Sequence, residues 1–428
     1  MPCLDLPPAA PEPAPRPGRP GSVSCDQALR LVLDAVSPLA AQSVPILEAE
    51  GRVLAQDVVS DVMLPPFPSS ARDGYAVIAA DTQGASLALP VSLRVLSEIR
   101  AGGSSSGRWV AQGAAVRIMT GAPLPVGADA VVQFEDTAEA GGVVRVFSPV
   151  RRYENYRHPG ENIGRGDLVL RRGERLNPAD VGILASLNHD QVTVHRQPLV
   201  AIVSTGDELA GMGEAIAHGQ IRDVNAYALY AEAKRYGALP AYLGIAKDDK
   251  AEIKALFGRA MASDVVISTG GGSMGRYDFV KEVYAELGIQ MLFERVNLKP
   301  GKPCAFGVKG NQLFFSLPGN PVSALTTFIQ FVRPALLRLM GANRIAKPVV
   351  SAVLLEDIAK KRTQNRRLLR GRFTIQDGQF RVSTMGDQKP SIFQTMREAN
   401  CLIIVPENVE RIRAGEQVLI QLIYHDEV

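Results

Sequence analysis

The stretch DVVISTGGGSMGRYD, residues 264–278, joins an apolar run suited to a buried strand to a glycine-rich turn and then to helix-forming residues. Strand, glycine turn and helix in that order form the repeating unit of an open α/β sheet. The same rhythm extends to both sides. LVAIVS (199–204), PAYLGIA (240–246), QMLFERV (290–296) and QLFFSL (312–317) read as further strands, apolar enough for burial on both faces. Helices are expected over 225–236, 250–261, 277–287 and 322–340. This alternation implies a mostly parallel sheet covered by helices, with ligands bound beyond the carboxyl ends of its strands.

Four segments fall just past those ends: STGDEL (204–209), AKDD (246–249), STGGGSMGRYD (268–278) and SLPGNP (316–321). Gly270, Gly271 and Gly272 let the backbone approach a ligand and turn its N–H groups toward an anion, and Ser273 adds a hydroxyl. A tight strand-to-helix turn would use one or two of the same glycines. Asn320 and Pro321 suit the N-cap and first position of a helix whose N-terminus faces the same edge. In KPGK (299–302), Lys299 and Lys302 suit a phosphate or another oxyanion, although lysines are also common in surface turns. Asp207, Glu208, Asp248, Asp249 and Asp278 place carboxylates on an edge otherwise built for anions. A hard cation such as Mg²⁺ resolves that repulsion. Asp249 reads equally well as the N-cap of the helix that follows it.

Outside this region the texture changes. Residues 1–22 carry PPAAPEPAPRPGRP, cannot bury much apolar surface, and are expected to be a disordered tail. Residues 24–41 read as an amphipathic helix that Pro38 kinks or ends. From 44 to 194 short β-type runs are broken by Gly and Pro, as in VVRVF (143–147), DLVLRRG (167–173) and QVTVH (191–195). Within PPFPSSARDGYAV (65–77), Asp73-Gly74-Tyr75 suits a turn. Beyond 346 short strands return, and about 80 residues of them fit a small β-barrel or sandwich.

The 428 residues suffice for roughly two to four domains. Lys+Arg 47 against Asp+Glu 44 leaves +3, too small an imbalance to point to nucleic acid or a membrane surface. No apolar run approaches the roughly 18–20 residues that span a bilayer. The four cysteines form no CxxC pair and the five histidines show no ligand spacing, which argues against zinc and disulfides and fits a reducing cytoplasm. Any metal should be a hard one held by carboxylates and phosphate.

Seven segments carry a resemblance: SARDGYAV (70–77), RIMTGAPLPVGADAVV (117–132), STGDEL (204–209), GQIRDVNAYAL (219–229), DVVISTGGGSMGRYDF (264–279), LKPGKPCAFG (298–307) and LPGNPVSALTTF (317–328). In this order they closely resemble the MoeA family, the molybdopterin molybdenumtransferases, whose animal relative gephyrin carries the same module. The resemblance implies a multidomain α/β-plus-β chain. Its regions would be an elongated N-terminal domain (23–62 and 163–196), an inserted β-rich domain (63–162), an α/β molybdopterin-binding domain with a mostly parallel sheet (197–343), and a C-terminal β-barrel (344–428). It also implies a cytoplasmic homodimer whose cleft lies between the α/β domain of one subunit and the inserted domain of its mate.

The implied reaction inserts molybdate into adenylylated molybdopterin, with Mg²⁺, forming molybdenum cofactor and AMP. Residue by residue, the resemblance gives catalytic roles to Asp73, Glu208, Asp248, Asp278 and Lys299. It assigns Thr205, Gly206, Gly270, Gly271, Ser273, Lys302, Pro318, Gly319 and Asn320 to the pterin and its phosphate. Glu208, Asp248, Asp278 and Asn162 would surround the metal. Molybdopterin adenylyltransferase and recipient molybdoenzymes are implied as further partners. Two positions depart from the pattern. The family commonly has GED where this chain has Gly160-Glu161-Asn162, so an oxygen remains but a charge is lost, and Arg295 stands where some members carry Lys. Rival readings are a tungstate-specific paralogue, a binding or scaffold paralogue that has lost catalysis, and an adenylyltransferase, which the flanking β regions count against.

Overall fold

The computed structural model describes residues 22–270, 279–359 and 361–424. They fall into two compact units, one made of the described residues among 22–55, 173–178 and 191–424, the other of 56–172 and 179–190.

The first unit is built on six strands: β1 (Leu199–Thr205), β2 (Leu239–Ala246), β3 (Val265–Thr269), β4 (Gln290–Phe293), β5 (Ala305–Lys309) and β6 (Gln312–Leu317). Their order across the sheet is β2-β1-β3-β6-β5-β4. Pairings among β2, β1, β3 and β6 are parallel, while β5 and β4 are antiparallel at one edge. Strand β5 is not anticipated from the sequence. The segment AFGVK is short and looks like part of the preceding lysine turn, but Gly310, at φ +56°, folds it back on β6 as a hairpin.

Helices α1 (Asn225–Arg235), α2 (Lys250–Ala260), α3 (Phe279–Glu286) and α4 (Pro321–Thr327) follow β1, β2, β3 and β6. One apolar cluster joins Ile202, Ile267 and Phe315 to Leu229 and Phe328, and another joins Val203, Val266 and Phe314 to Phe257 and Val283. Alternate residues of β1, β3 and β6 thus feed opposite faces, each buried side chain contributing about 1.5–3 kcal/mol. The long helix expected over 322–340 is interrupted. After α4 comes a π-helical turn, Phe328–Val332, and then a second helical piece, Arg333–Leu339. Pro334 supplies the reason, since it lacks the N–H that would continue the ladder.

The helix expected over 24–41 is also shorter, Cys25–Asp34, with the Ser24 hydroxyl accepting from the Gln27 amide at 3.1 Å. It ends ahead of Pro38, as that residue leads one to expect, and only the last expected residue, Ala41, enters the strand Ala41–Pro45, paired with Gln191–His195.

Five strands close the carboxyl-terminal barrel: β7 (Val349–Leu354), β8 (Arg366–Gln376), β9 (Gln379–Thr384), β10 (Cys401–Val405) and β11 (Gln417–Leu422). The ring runs β8-β9-β7-β11-β10 and returns to β8. Leu354, Leu369, Ile403 and Ile420 fill it. Neighbouring Leu368 and Leu402 point the other way, into the apolar cluster of the α/β sheet.

The second unit holds a six-stranded mixed sheet in the order Ala130–Gln133, Gly74–Val77, Ala114–Ile118, Val91–Ile99, Val143–Val146, Thr137–Ala140. Separate apolar clusters centred on Val77 and Val132, and on Val116 and Val131, cover its two faces. The β-rich texture expected for this stretch is what folds. No helix of the described residues is long and apolar enough to cross a membrane.

Candidate active site at the carboxyl edge of the parallel sheet

Chain direction across the sheet reverses at β1, since β2 lies on one side of it and β3 on the other. Such a switch point opens a crevice beyond the strand ends. Thr205 ends β1 buried, and its hydroxyl donates to the Thr269 carbonyl at 3.3 Å. Ser204 and Thr269 pair their hydroxyls at 3.2 Å.

After β1 the chain turns at Gly206, at φ +146°, whose amide donates to the Ala246 carbonyl at 3.1 Å. A Cβ on Gly206 would lie 2.4 Å from Glu208 Oε2, so the Glu208 carboxylate folds back over the turn. From β2, the Asp248 amide donates to Asp207 Oδ1 at 3.1 Å. The Asp248 carboxyl is raised above the ordinary range by burial first, and then by the charges of Asp207 and Glu208. Lys247 turns away, donating to the Leu209 carbonyl at 3.1 Å. Asp249 is the N-cap of α2, accepting from Ala251 and Glu252 amides at 2.9 Å each.

Gly270, at φ +93°, comes so close to β1 that a Cβ would stand 2.2 Å from the Thr205 carbonyl oxygen. Past β6, Pro318 is buried, while Gly319 and Asn320 are exposed. A Cβ on Gly319 would be 3.8 Å from Gly270 Cα, so the loops after β3 and β6 lie side by side. Asn320 occupies the N-cap position of α4 but makes no side-chain cap bond, which leaves its amide for other partners.

Thr205, Gly206, Glu208, Asp248, Gly270, Pro318, Gly319 and Asn320 therefore meet at one edge. Gly271, Ser273 and Asp278 lie outside the described residues. Lys299 and Lys302 are exposed on a turn that packs against the last residue of α4. Leu298–Lys299 runs parallel to Arg366–Arg367 of β8, and a Cβ on Gly301 would be 2.6 Å from Thr327 Cγ2 of α4. The lysine turn is thus braced by both the barrel and the helix that follows the Pro-Gly-Asn loop. Sequence reasoning missed Asn225 and Asp223 at the start of α1. Asn225 Nδ2 donates to the Gly319 carbonyl at 2.7 Å. Two polar residues opening a helix look like ordinary capping.

Asp73 and Asn162 belong to the second unit. Asp73 precedes the strand Gly74–Val77, and its Oδ1 accepts from the Thr120 amide at 2.7 Å and the Thr120 hydroxyl at 2.8 Å. Those bonds, the amide foremost, hold the Asp73 carboxyl below the ordinary range. The Asn162 amide donates to the Leu64 carbonyl at 3.0 Å, and its side chain is exposed. Neighbouring Glu161 accepts from the His158 amide at 2.8 Å. Among the described residues no three His, Cys, Asp or Glu side chains are grouped to hold a metal; Glu208 and Asp248 supply two hard oxygen donors.

Three family descriptions match nearly the whole chain after residue 22: "MoeA N-terminal region (domain I and II)" over 23–188, "Probable molybdopterin binding domain" over 201–338, and "MoeA C-terminal region (domain IV)" over 351–423. A molybdopterin molybdenumtransferase of Haemophilus influenzae is 35% identical, covering 94% of this chain and 99% of that protein. One of Staphylococcus aureus is 33% identical over 94% and 95%. Two crystal structures of the Pyrococcus horikoshii molybdopterin biosynthesis MoeA protein superpose with TM-scores of 0.78 and 0.81, at 33% and 31% identity. Each covers 94% of this chain, and 99% and 100% of its own. With the parallel-sheet edge, the five-stranded barrel and the motifs all in place, the chain belongs to the MoeA family of molybdopterin molybdenumtransferases, transferases of molybdenum cofactor biosynthesis.

Proposed function

We propose that the chain transfers molybdenum from molybdate to the dithiolene of adenylylated molybdopterin, releasing AMP. The observation that carries this reading is the juxtaposition of Asp207, Glu208 and Asp248 with the Gly270–Gly319 cradle. Carboxylates crowded enough to raise the Asp248 pKa suit a hard divalent cation, so Glu208 and Asp248 are the residues that would hold Mg²⁺, while a metal role for Asp278 and Asn162 rests on the family resemblance alone. When bound, the ion supplies charge neutralisation to the phosphoanhydride.

The protein's own groups then bind and orient. Gly270 and Gly319 admit the ligand against bare backbone, while Thr205, Gly206, Pro318 and Asn320 line its approach. Lys299 and Lys302 hold the oxyanion, and the family resemblance assigns Gly271 and Ser273 to the pterin and its phosphate. Positioning and fixed charge account for the rate in this reading. The family also supports a cytoplasmic homodimer with Asp73, pinned by Thr120, completing the mate's cleft. We extend the regional division to 23–62 with 163–196, 63–162, 197–343 and 344–428.

The test is AMP release from adenylylated molybdopterin with Mg²⁺, with and without molybdate, for wild type and Asn162→Asp. Molybdate-dependent release by wild type is the expected result, and tungstate in its place checks oxyanion choice. Silence from wild type with activity in Asn162→Asp would indicate a catalytically weakened paralogue. Silence from both would overturn the transferase reading.

A further inference from the structure

Asn225 opens α1 and is only 8% exposed. Its Nδ2 donates to the Gly319 carbonyl at 2.7 Å. A carbonyl only accepts, so the amide nitrogen must face Gly319 and Oδ1 must face away from it. That oxygen is buried and has no hydrogen-bond partner among the described residues. The helix start does not need it, because Asp223 Oδ1 takes the capping bond from the Ala226 amide at 3.1 Å. Asp223 is itself held by the Tyr242 hydroxyl, which donates to Oδ2 at 2.9 Å.

A buried acceptor without a donor is uncommon in a native fold and disfavours the state that leaves it so. This one sits beside the point where the loops after β3 and β6 meet, Gly270 against Gly319. An ionised phosphate or molybdate offers no donor and would be repelled by a carbonyl-type oxygen. The edge of a nitrogen heterocycle offers N–H groups. We propose that Asn225 Oδ1 accepts a hydrogen bond from an N–H on the ligand's heterocyclic end, so that Asn225 reads that end and sets which way round the ligand lies. The inference rests on the functional reading above, which makes the heterocycle a pterin.

The test measures anaerobic binding of molybdopterin, followed by pterin fluorescence, to the full-length wild type, Asn225→Asp and Asn225→Leu. Molybdate affinity by equilibrium dialysis serves as the control. Asn225→Asp keeps an oxygen acceptor but sets a second oxygen, charged when ionised, where the donor to Gly319 stood, whereas Asn225→Leu loses both hydrogen-bonding atoms. The expected Kd rises about tenfold or more in Asn225→Leu and within about threefold in Asn225→Asp. Molybdate affinity should stay unchanged in each. Equal losses in the two variants would mean that only the Gly319 anchor matters, and would overturn the assignment. So would wild-type affinity in Asn225→Leu. Should Asn225→Leu fail to fold, Asn225→Ala takes its place, and wild-type affinity in Asn225→Ala would overturn the proposal. Wild type that binds no molybdopterin would overturn the functional reading itself, and the proposal with it.

Discussion

The backbone amide of Asp248 donates to the Asp207 carboxylate at 3.1 Å, fastening together two acidic loops that arrive from β2 and β1. A main-chain bond thus holds carboxylates near one another despite their like charge. The cost appears as the raised pKa of Asp248, caused by burial and then by Asp207 and Glu208. An arrangement that opposes its own ionisation is a common mark of a functional site.

Replacing Asp248 by Asn should separate stability from activity. A carboxyl whose folded pKa lies above its unfolded value opposes folding when ionised. Relief therefore comes as pH falls through the folded pKa. Asn225 and the glycine loops are untouched in Asp248→Asn, so it should melt at or slightly above wild type near neutral pH, with the difference vanishing in acid. Its rate of AMP release should drop by about 10²-fold. Melting across pH 3–8, roughly the window spanning ordinary carboxylate titration, together with turnover, checks both halves.

Gly270 and Gly319 should respond differently to alanine. At Gly270 the backbone sits at φ +93° and a Cβ would meet the Thr205 carbonyl at 2.2 Å, so Gly270→Ala should lose at least about 2 kcal/mol. At Gly319 the nearest atom is 3.8 Å away, so Gly319→Ala should fold with little loss and show its effect in ligand affinity. Denaturant melts of the two variants side by side decide the matter; equal destabilisation would contradict it.

The Asp73 carboxyl should titrate below the ordinary range, because Thr120 donates to it twice. A lowered folded pKa means a stabilising contribution that is complete above the unfolded pKa and disappears as pH falls through the folded one. Thr120→Val removes the hydroxyl and keeps the amide, so the Asp73 pKa should rise part of the way toward ordinary. Carbon-detected NMR titration of the Asp73 side chain reads this directly.

Three thiols should be inert in the native protein. Cys25 and Cys401 are pushed up to about 12 by burial, and burial raises Cys304 as well. None lies in reach of solvent as a thiolate, so a disulfide reagent at pH 8, about half a unit below an ordinary thiol pKa, should label these positions only after unfolding. Peptide mapping of native and denatured samples checks it. Rapid labelling of Cys25 or Cys304 in the native state would mean that the apolar cluster they share opens readily.

Much of the site is legible in the amino-acid sequence, because strand ends followed by glycine and acidic residues are a local pattern. Gly270 and Asp249 illustrate this: a strand-to-helix turn needs a positive φ, and a helix start needs an acceptor, both within a few residues. Asn225 is not legible in that way. Nothing near it in sequence says that Gly319, 94 residues later, will accept its amide proton. Asp207 likewise looks like one acidic residue among several until its bond to Asp248, 41 residues on, gives it a distinct task.

Local periodicity determined the strands β1, β2, β3 and β6 and the helices between them, since burial on one or both faces imposes its own spacing on the chain. Tertiary structure decided the elements that local pattern did not announce. Pro38 limits the helix beginning at Cys25, but residues 41–45 become a strand only because a partner waits at 191–195. Strand β5 exists because β6 stands beside it, and the barrel closes because β10 returns to β8. Hydrogen bonds between distant segments have no signature in either segment by itself. Which polar groups remain unpaired among the described residues, as Asn225 Oδ1 does, is decided by the same long-range pairing.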